Sequence, residues 1–230
     1  MARTVEPQYE RCLEVSEQSG RTKLGLMSNQ VWHDDPRRLA FVLARYKFVA
    51  KMLSGMSRVL EVGCADAFAT RIVAQEVGSV TAVDFDPVFI DDVKSRMDQK
   101  WPIDARVHDM LQGPVDGIFD AAYAVDVLEH IPADKENSFL ANIVASLTDS
   151  GVLLVGVPSL QSQDYASPPS KAGHVNCKDG PGLRATMTRH FRNVFIFSMN
   201  DEVVHTGFYP MAHYLFALSC GPIQQAVSRH

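Results

Sequence analysis

Cysteine is scarce in this sequence: Cys12, Cys64, Cys177 and Cys220 lie far apart and form no C-x-x-C pair. That spacing argues against a disulfide framework or a cysteine-based zinc site, and it fits reduced thiols in the cytosol. No apolar run is long enough to cross a bilayer, so no membrane partner is expected. The opening residues, MARTVEPQYERCLEV, hold no apolar signal core, and the expected location is cytoplasmic. Positive charge is not in excess either. With 22 Lys and Arg against 27 Asp and Glu, the net charge is -5, whereas a general nucleic-acid binder shows a basic face. Internal repeats and low-complexity segments are absent. What is present, 230 residues of which 46% are hydrophobic and 21% charged, suffices for one domain with a two-layer core and some decoration.

The chain is organised around RVLEVGCADAFATRIVAQEVGSVTAVDFD, from Arg58 to Asp86. Val59, Leu60 and Val62 are the residues of a strand covered on both faces. Gly63 breaks the run, and Ala65 and Ala67 keep the following turn free of bulk. Residues Phe68 to Glu76 carry helical spacing, with Phe68, Ile72 and Val73 on one side. Val80, Ala82 and Val83 form a second strand that Asp84 closes. A small turn lets a ligand approach the backbone, and the helix N-terminus behind it offers free N–H groups. An acid at the tip of the second strand is placed to accept from both hydroxyls of a ribose. These features describe half of a nucleotide-cofactor site.

A dinucleotide fold requires G-x-G-x-x-G between strand and helix, and Gly63-Cys64-Ala65-Asp66-Ala67-Phe68 fails it at both later glycines. The run instead resembles the E/D-x-G-x-G-x-G loop of class I S-adenosylmethionine-dependent methyltransferases. Glu61 and Gly63 match, and Ala65 and Ala67 replace the two later glycines. Val83 to Asp86 resembles that family's ribose motif, and His108 to Met110 resembles the segment whose acid, here Asp109, meets the adenine amine. Phe119 to Pro132 is similar to the fourth strand and its turn, and Gly151 to Pro158 to the fifth. The order and spacing hold over roughly the middle half of the chain. Small-molecule and sugar O-methyltransferases are the most similar members.

The resemblance implies an α/β fold: a seven-stranded, mostly parallel sheet with a C-terminal antiparallel hairpin and helices on both faces. It implies S-adenosylmethionine as cofactor, lined by Glu61, Gly63, Cys64, Ala65, Asp84, Phe85, Asp109, Met110 and Val125. Residues 1–54 are expected to form an N-terminal helical cap and lid. Residues 55–230 are expected to form the cofactor-binding core, with a substrate loop at 159–181.

Outside the central stretch, residues Glu6 to Ser19 read as a short amphipathic helix, with Tyr9, Leu13 and Val15 as weak anchors. Leu24 to Asp35 reads as a loop. Asp35-Pro36 starts a helix, an N-cap acid before a first-turn proline. That helix runs to Leu53 with Leu39, Val42, Leu43, Tyr46, Val49 and Leu53 on one face. Its Arg37, Arg38, Arg45, Lys47 and Lys51 read as a solvated face. Because this helix ends beside the start of the first strand, Trp32 to Asp35 lies at the sheet's carboxyl edge, as a lid over the cofactor or as a helix cap with a packed tryptophan. Residues Ser159 to Pro181 have no period and read as a long structureless loop carrying Tyr165, Lys171, His174 and Asn176. The last two strands, Val194 to Phe197 and Met211 to Ser219, are joined by residues Ser198 to Pro210.

Methyl transfer from a sulfonium is an in-line displacement, so positioning supplies most of the catalysis. A hydroxyl acceptor also needs a base, and histidine titrates in the right range. His174, beside the expected methyl position, is the first candidate, His130 the second and His205 the third. His108 is expected to shape the rim of the adenine pocket. No metal is expected; Asp34, Asp126, His130, Asp201, Glu202 and His205 are the alternative ion-holding set, but their spacing is not diagnostic. The expected acceptor is a hydroxyl on a polar small molecule, a sugar or natural product. Alternatives are N-methylation of a small amine, a nicotinamide-dependent oxidoreductase, or a non-catalytic nucleotide-binding module. A homodimer is the possible assembly.

Overall fold

The computed structural model describes residues 3–223, and its centre is β1 (Arg58–Val62), buried along all but its first residue. Leu60 and Val62 enter one hydrophobic layer, and Val59 enters the other. β2 (Ser79–Asp84) pairs in parallel with one edge of β1, and β4 (Phe119–Val125) with the other. β3 (Asp104–Val107) extends the sheet beyond β2, and β5 (Leu147–Pro158) beyond β4, both in parallel. β8 (Tyr214–Pro222) runs antiparallel to β5 and to β6 (Phe191–Asn200), so β6 points the same way as the central strands.

The expected sheet has seven strands; among the described residues the observed order is β3-β2-β1-β4-β5-β8-β6-β7, eight strands. The extra one is β7 (Val203–His205). β6 continues past Phe197 to Asn200, turns where Asp201 takes φ 51°, and Val203–His205 folds back on it. The polar run Asn200-Asp201-Glu202 is a hairpin turn rather than part of a long connection.

Helix α3 (Pro36–Met52) packs on one face of the sheet and behaves as its sequence demands. The Asp35 side chain accepts from the Arg37 N–H, with proline in the first turn. Leu39, Tyr46, Val49 and Ala50 are buried with Leu53 just beyond. One of the five basic residues read as solvated is not: Arg45 is 17% exposed and pairs with Asp126 at 2.7 Å. Its guanidinium also lies 3.9 Å from the centre of the Tyr214 ring. Helix α4 (Thr70–Ala74) shares this face, and α6 (Glu136–Ala145) packs on the other. Helix α5 (Pro87–Ser95) starts at Asp86, whose side chain accepts from the Val88 N–H.

Two segments expected to be loops are ordered. Residues Leu26–Asp34 form α2, whose first turn is capped from far away: the Asp66 carboxylate accepts from the Ser28 N–H at 2.6 Å. Its own sequence, LMSNQVWHD, offers no cap, which hides it from local reading. The first helix, α1 (Glu10–Ser19), buries no residue. In the segment 159–181, a 3-10 turn spans Gln161–Tyr165, and α7 (Pro168–Gly173) is capped by Ser167. The segment is strapped at its ends, where the Ser159 Oγ donates to Ala212 O at 2.6 Å and the Leu160 N–H to Lys178 O at 2.8 Å.

A buried carboxylate anchors the far end of this segment. Glu136, 5% exposed, accepts from Asn176 Nδ2 at 2.8 Å and pairs with Lys178 at 2.7 Å. It also reaches α8 (Gly180–Thr188) through Thr186 and, just past it, Arg189 at 2.8 Å. Burial works against its ionisation, but the bonds from Lys178 and Asn176 win and its carboxyl titrates below the usual range. Glu136→Ala would leave the Lys178 ammonium without its carboxylate and is expected to cost about 3 kcal/mol of folding stability, read as a lower urea midpoint with unchanged slope. A variant within about 0.5 kcal/mol of wild type contradicts the anchor.

Candidate active site

The carboxyl ends of β1 and β2 meet at a bend whose backbone has the shape of a glycine-rich loop without its glycines. Gly63 has φ 74°, Ala65 φ 44° and Ala67 φ 48°. Left-handed backbone costs an L-residue roughly 1–2 kcal/mol, so both alanines are strained. Surrounding contacts hold them there. The N–H groups of Gly63 and Cys64 both donate to Val83 O, at 2.8 and 3.0 Å. The Ala65 N–H donates to one oxygen of Asp84 at 2.9 Å, and the Asp86 N–H to the other at 3.0 Å. Asp84 is thereby fixed at the tip of β2 with accepting capacity left on each oxygen. A side chain at Gly63 would meet Val127 at 2.4 Å, so the bend rests directly on the turn after β4.

The nine residues expected to line the cofactor divide into two groups. Gly63, Ala65, Asp84, Phe85 and Asp109 stand at the carboxyl edge. The Phe85 ring is 73% exposed, and Asp109 follows β3, where the His108 N–H donates to Asp84 O at 2.8 Å. The Asp109 carboxylate accepts from the Leu111 N–H at 2.9 Å, and His108 Nε2 bonds Gly113 O at 3.0 Å, closing the same turn. The side chains of Glu61, Cys64, Met110 and Val125 turn inward instead. Cys64 packs with Ile90 and Val93, Met110 lies in the main core, and Val125 packs on the α3 side. The side chains of Cys64, Met110 and Val125 are packed into the core, so these three can offer a ligand only backbone. Glu61 is 1% exposed and accepts from Tyr46 Oη at 2.7 Å and Thr70 Oγ1 at 2.6 Å. Burial lifts its pKa to about 7 against the lowering effect of those bonds. It ties α3 and α4 to the strand.

Helix α2 closes over this edge. Asp66, in the middle of the bend, accepts from the Ser28 N–H and Oγ, and Gly25 has no room for a side chain because Asp66 lies against it. Between α2 and the start of α5 is a cleft of about 360 Å³ lined by Leu26, Met27, Gln30, Asp86, Val88 and Phe89, one residue beyond Phe85. A larger cavity of about 810 Å³ lies behind the bend, where Asp66 to Phe68 meet Arg71, Arg96 and Trp101, away from the histidines. Trp32 is 52% exposed in α2 and is not a packed tryptophan.

The turns after β4 and α7 bring two of the three histidine candidates together. His130 and His174 stand edge to face with ring centres 5.1 Å apart. His130 Nδ1 lies 2.9 Å from Gly173 O, and His174 Nδ1 lies 2.8 Å from Gln163 Oε1. Burial and then the neighbouring His130 hold the His174 pKa below the ordinary value. Glu129, buried at 1% exposure, completes the group. Its carboxyl is pushed well up by burial and by Asp126, which itself sits at φ 59°. His205 is elsewhere: Nε2 faces Asn200 Oδ1 at 2.9 Å and Nδ1 accepts from the Gly207 N–H at 3.0 Å. With both nitrogens used inside the hairpin, it has none for an acceptor.

The alternative ion-holding set is not assembled. Asp34 is exposed in α2, and Asp201 and Glu202 are exposed at the hairpin turn. The Asp201 N–H donates to His213 Nε2 at 2.6 Å. Among the positions that sequence reasoning missed, Arg45 had been read as solvated, and Gln163 and Tyr214 carried no signal at all.

A family profile described as "Methyltransferase domain" matches residues 59–151. The ubiquinone biosynthesis O-methyltransferase of Xanthomonas oryzae pv. oryzae (strain PXO99A) is 30% identical over 128 residues, 50% of this chain and 51% of the relative. The chain therefore spans about half the length of the curated relatives it matches. Among solved structures, N-methyltransferase NodS from Bradyrhizobium japonicum WM9 in complex with S-adenosyl-l-homocysteine superposes with a TM-score of 0.58. It is 20% identical, with 84% of this chain and 91% of that one covered. The DhpI–SAH complex superposes with a TM-score of 0.60 at 16% identity, covering 94% and 93%. At these identities the likeness establishes the fold.

Two stability measurements test this geometry. Glu61 binds its proton more tightly folded than unfolded, so its contribution to stability is lost as pH rises from about 4.5 to about 7. The loss is on the order of 3 kcal/mol. Glu61→Gln is expected to flatten that fall, leaving the part due to Glu129; an unchanged pH profile contradicts the assignment. Ala65→Gly and Ala67→Gly are each expected to raise stability by about 1 kcal/mol by relieving left-handed strain. A loss of stability in both would show the bend is unstrained.

Proposed function

With residues 59–151 forming a methyltransferase domain on the class I, Rossmann-like S-adenosylmethionine-dependent fold, we propose that this chain transfers the methyl group of S-adenosylmethionine to a hydroxyl of a polar small molecule, a sugar or natural product. The observation that carries this reading is the bend itself. Ala65 and Ala67 keep left-handed conformations that cost them energy, Ala65 part-exposed at the carboxyl edge and Ala67 packed beneath it, and the N–H of Ala65 is spent on fixing the Asp84 carboxylate there. In this reading the adenosyl ribose hydroxyls donate to the free lone pairs of Asp84, the adenine lies between Phe85 and Asp109, and the methionine portion crosses the backbone from Gly63 to Ala65. Glu61 acts from inside, holding the strand that carries the bend.

The acceptor occupies the space by His130 and His174. Its oxygen attacks the methyl carbon in line, the carbon–sulfur bond breaks with its electron pair going to sulfur, and the hydroxyl proton passes to solvent water. Activating that hydroxyl is the task of the His130–His174–Glu129 group. The segment 159–181, which sets Gln163 against His174, is rich in hydroxyl, amide and carboxylate groups, and this suits a polar acceptor. The relatives carry both O-methyltransferase and N-methyltransferase names, and a small amine in the same place is the alternative acceptor.

Incubation with methyl-labelled S-adenosylmethionine and a panel of sugar nucleotides and glycosides is expected to label at least one acceptor on oxygen. His174→Ala should slow that transfer by about 100-fold or more while S-adenosylhomocysteine affinity stays within twofold. Label reaching amines alone would move the acceptor class, and no label in any compound would overturn the substrate assignment.

A further inference from the structure

Glu129, His130 and His174 gather more closely than a base and its helper require. One carboxylate oxygen and one ring nitrogen from each histidine lie within 4.8 Å of one another. From this arrangement we propose a divalent transition-metal site at Glu129, His130 and His174, which binds the acceptor hydroxyl and lowers its pKa. The role in methyl transfer rests on the function proposed above; the binding of the metal does not.

Three independent features of these residues point to a cation. First, the tautomers are set. Gly173 O accepts only, so His130 Nδ1 carries the proton; Gln163 Oε1 likewise takes the Nδ1 proton of His174. Both Nε2 atoms are therefore unprotonated with their lone pairs free, the arrangement by which metal-bound histidines are oriented. Second, Glu129 is a buried acid with an unanswered oxygen. Its Oε2 is shielded from water and has no hydrogen-bond partner, while Oε1 stands 4.0 Å from His130 Nε2. A buried carboxylate without a partner is costly, and a cation between it and the two nitrogens removes that cost. Third, the surroundings are shaped for the group. Gly173 leaves room for the His130 ring, since a side chain there would lie 3.3 Å from it. The Asn176 N–H holds Glu129 O at 3.0 Å, tying the two turns together.

The donor set also selects the ion. Two imidazoles and one carboxylate suit Mn²⁺, Co²⁺ or Zn²⁺ better than Mg²⁺ or Ca²⁺, which favour all-oxygen ligands. Three protein ligands leave coordination positions for an acceptor oxygen. There the ion acts as a Lewis acid: the bound hydroxyl releases its proton to solvent water, and the resulting alkoxide attacks the methyl carbon while the sulfonium becomes a neutral thioether. His130 and His174 are then ligands, and neither is itself the base.

The test uses the full 230-residue chain, freed of metal by chelation and titrated with Co²⁺, whose visible absorption reports its ligands. One equivalent is expected to bind with a spectrum of mixed nitrogen and oxygen coordination. His130→Ala, His174→Ala and Glu129→Gln should each weaken it about 100-fold or more, and Gln163→Leu, which removes the acceptor of His174 Nδ1 along with the amide's bonds to Ser159 O and Ser162 Oγ, about 10-fold. Each variant is checked for folding by circular dichroism and for S-adenosylhomocysteine binding by calorimetry. Folded wild type that takes up S-adenosylhomocysteine but no Co²⁺ overturns the metal site and leaves the methyltransferase reading standing. Co²⁺ binding that survives His174→Ala and Glu129→Gln unchanged overturns it too. Metal uptake lost in those variants upholds it, even if no acceptor is ever methylated.

Discussion

The hydrogen bond from the Ala65 N–H to Asp84 joins the two central strands at the edge where everything else converges. It fixes the acid at the tip of β2 and, with the two bonds from Gly63 and Cys64 to Val83 O, forces the chain into left-handed turns. From that bend the contacts run outward. Asp66 caps α2 and draws the N-terminal segment over the edge. Gly63 presses on Val127, so the position of the turn carrying Asp126, Glu129 and His130 depends on the same few residues. A single strained loop thus links the edge that carries Asp84 to the turn that carries Glu129 and His130.

The second constraint is the number of charged groups carried under the sheet's carboxyl edge. Arg45 reaches Asp126 from α3 while lying on the Tyr214 ring, and Glu129 is buried beside them. A protein interior tolerates such a group only when charges are matched or a ligand completes them. Glu136 is the matched case, with Lys178 and Arg189 as partners, and it behaves as a structural anchor. Glu129 is the unmatched one.

Much of this was legible in the residues. Continuous apolar character gave β1, β2 and β5, and Asp35-Pro36 gave the start of α3, because these signals are local. What escaped reading depends on distant partners. Helix α2 has no cap of its own and takes one from Asp66; β7 exists because Asp201 accepts a left-handed turn. Helical spacing placed Arg45 on a polar face, and only the folded chain puts Asp126 beside it. Similarly, the motif residues Cys64, Met110 and Val125 read as cofactor-lining, and only the folded chain shows that their side chains enter the core. Of the three histidines, distance in sequence gave no clue that His130 and His174 meet while His205 is spent on its own hairpin.

The strained bend and its acid are read as a holder for an adenosyl group. Calorimetric titration of wild type and Asp84→Ala with S-adenosylhomocysteine, with NAD as the comparison ligand, addresses this directly. The structure predicts one site for S-adenosylhomocysteine, no binding of NAD, and an affinity at least about 10-fold weaker without the Asp84 carboxylate. Equal affinity in the two proteins, or heat from NAD alone, would contradict it.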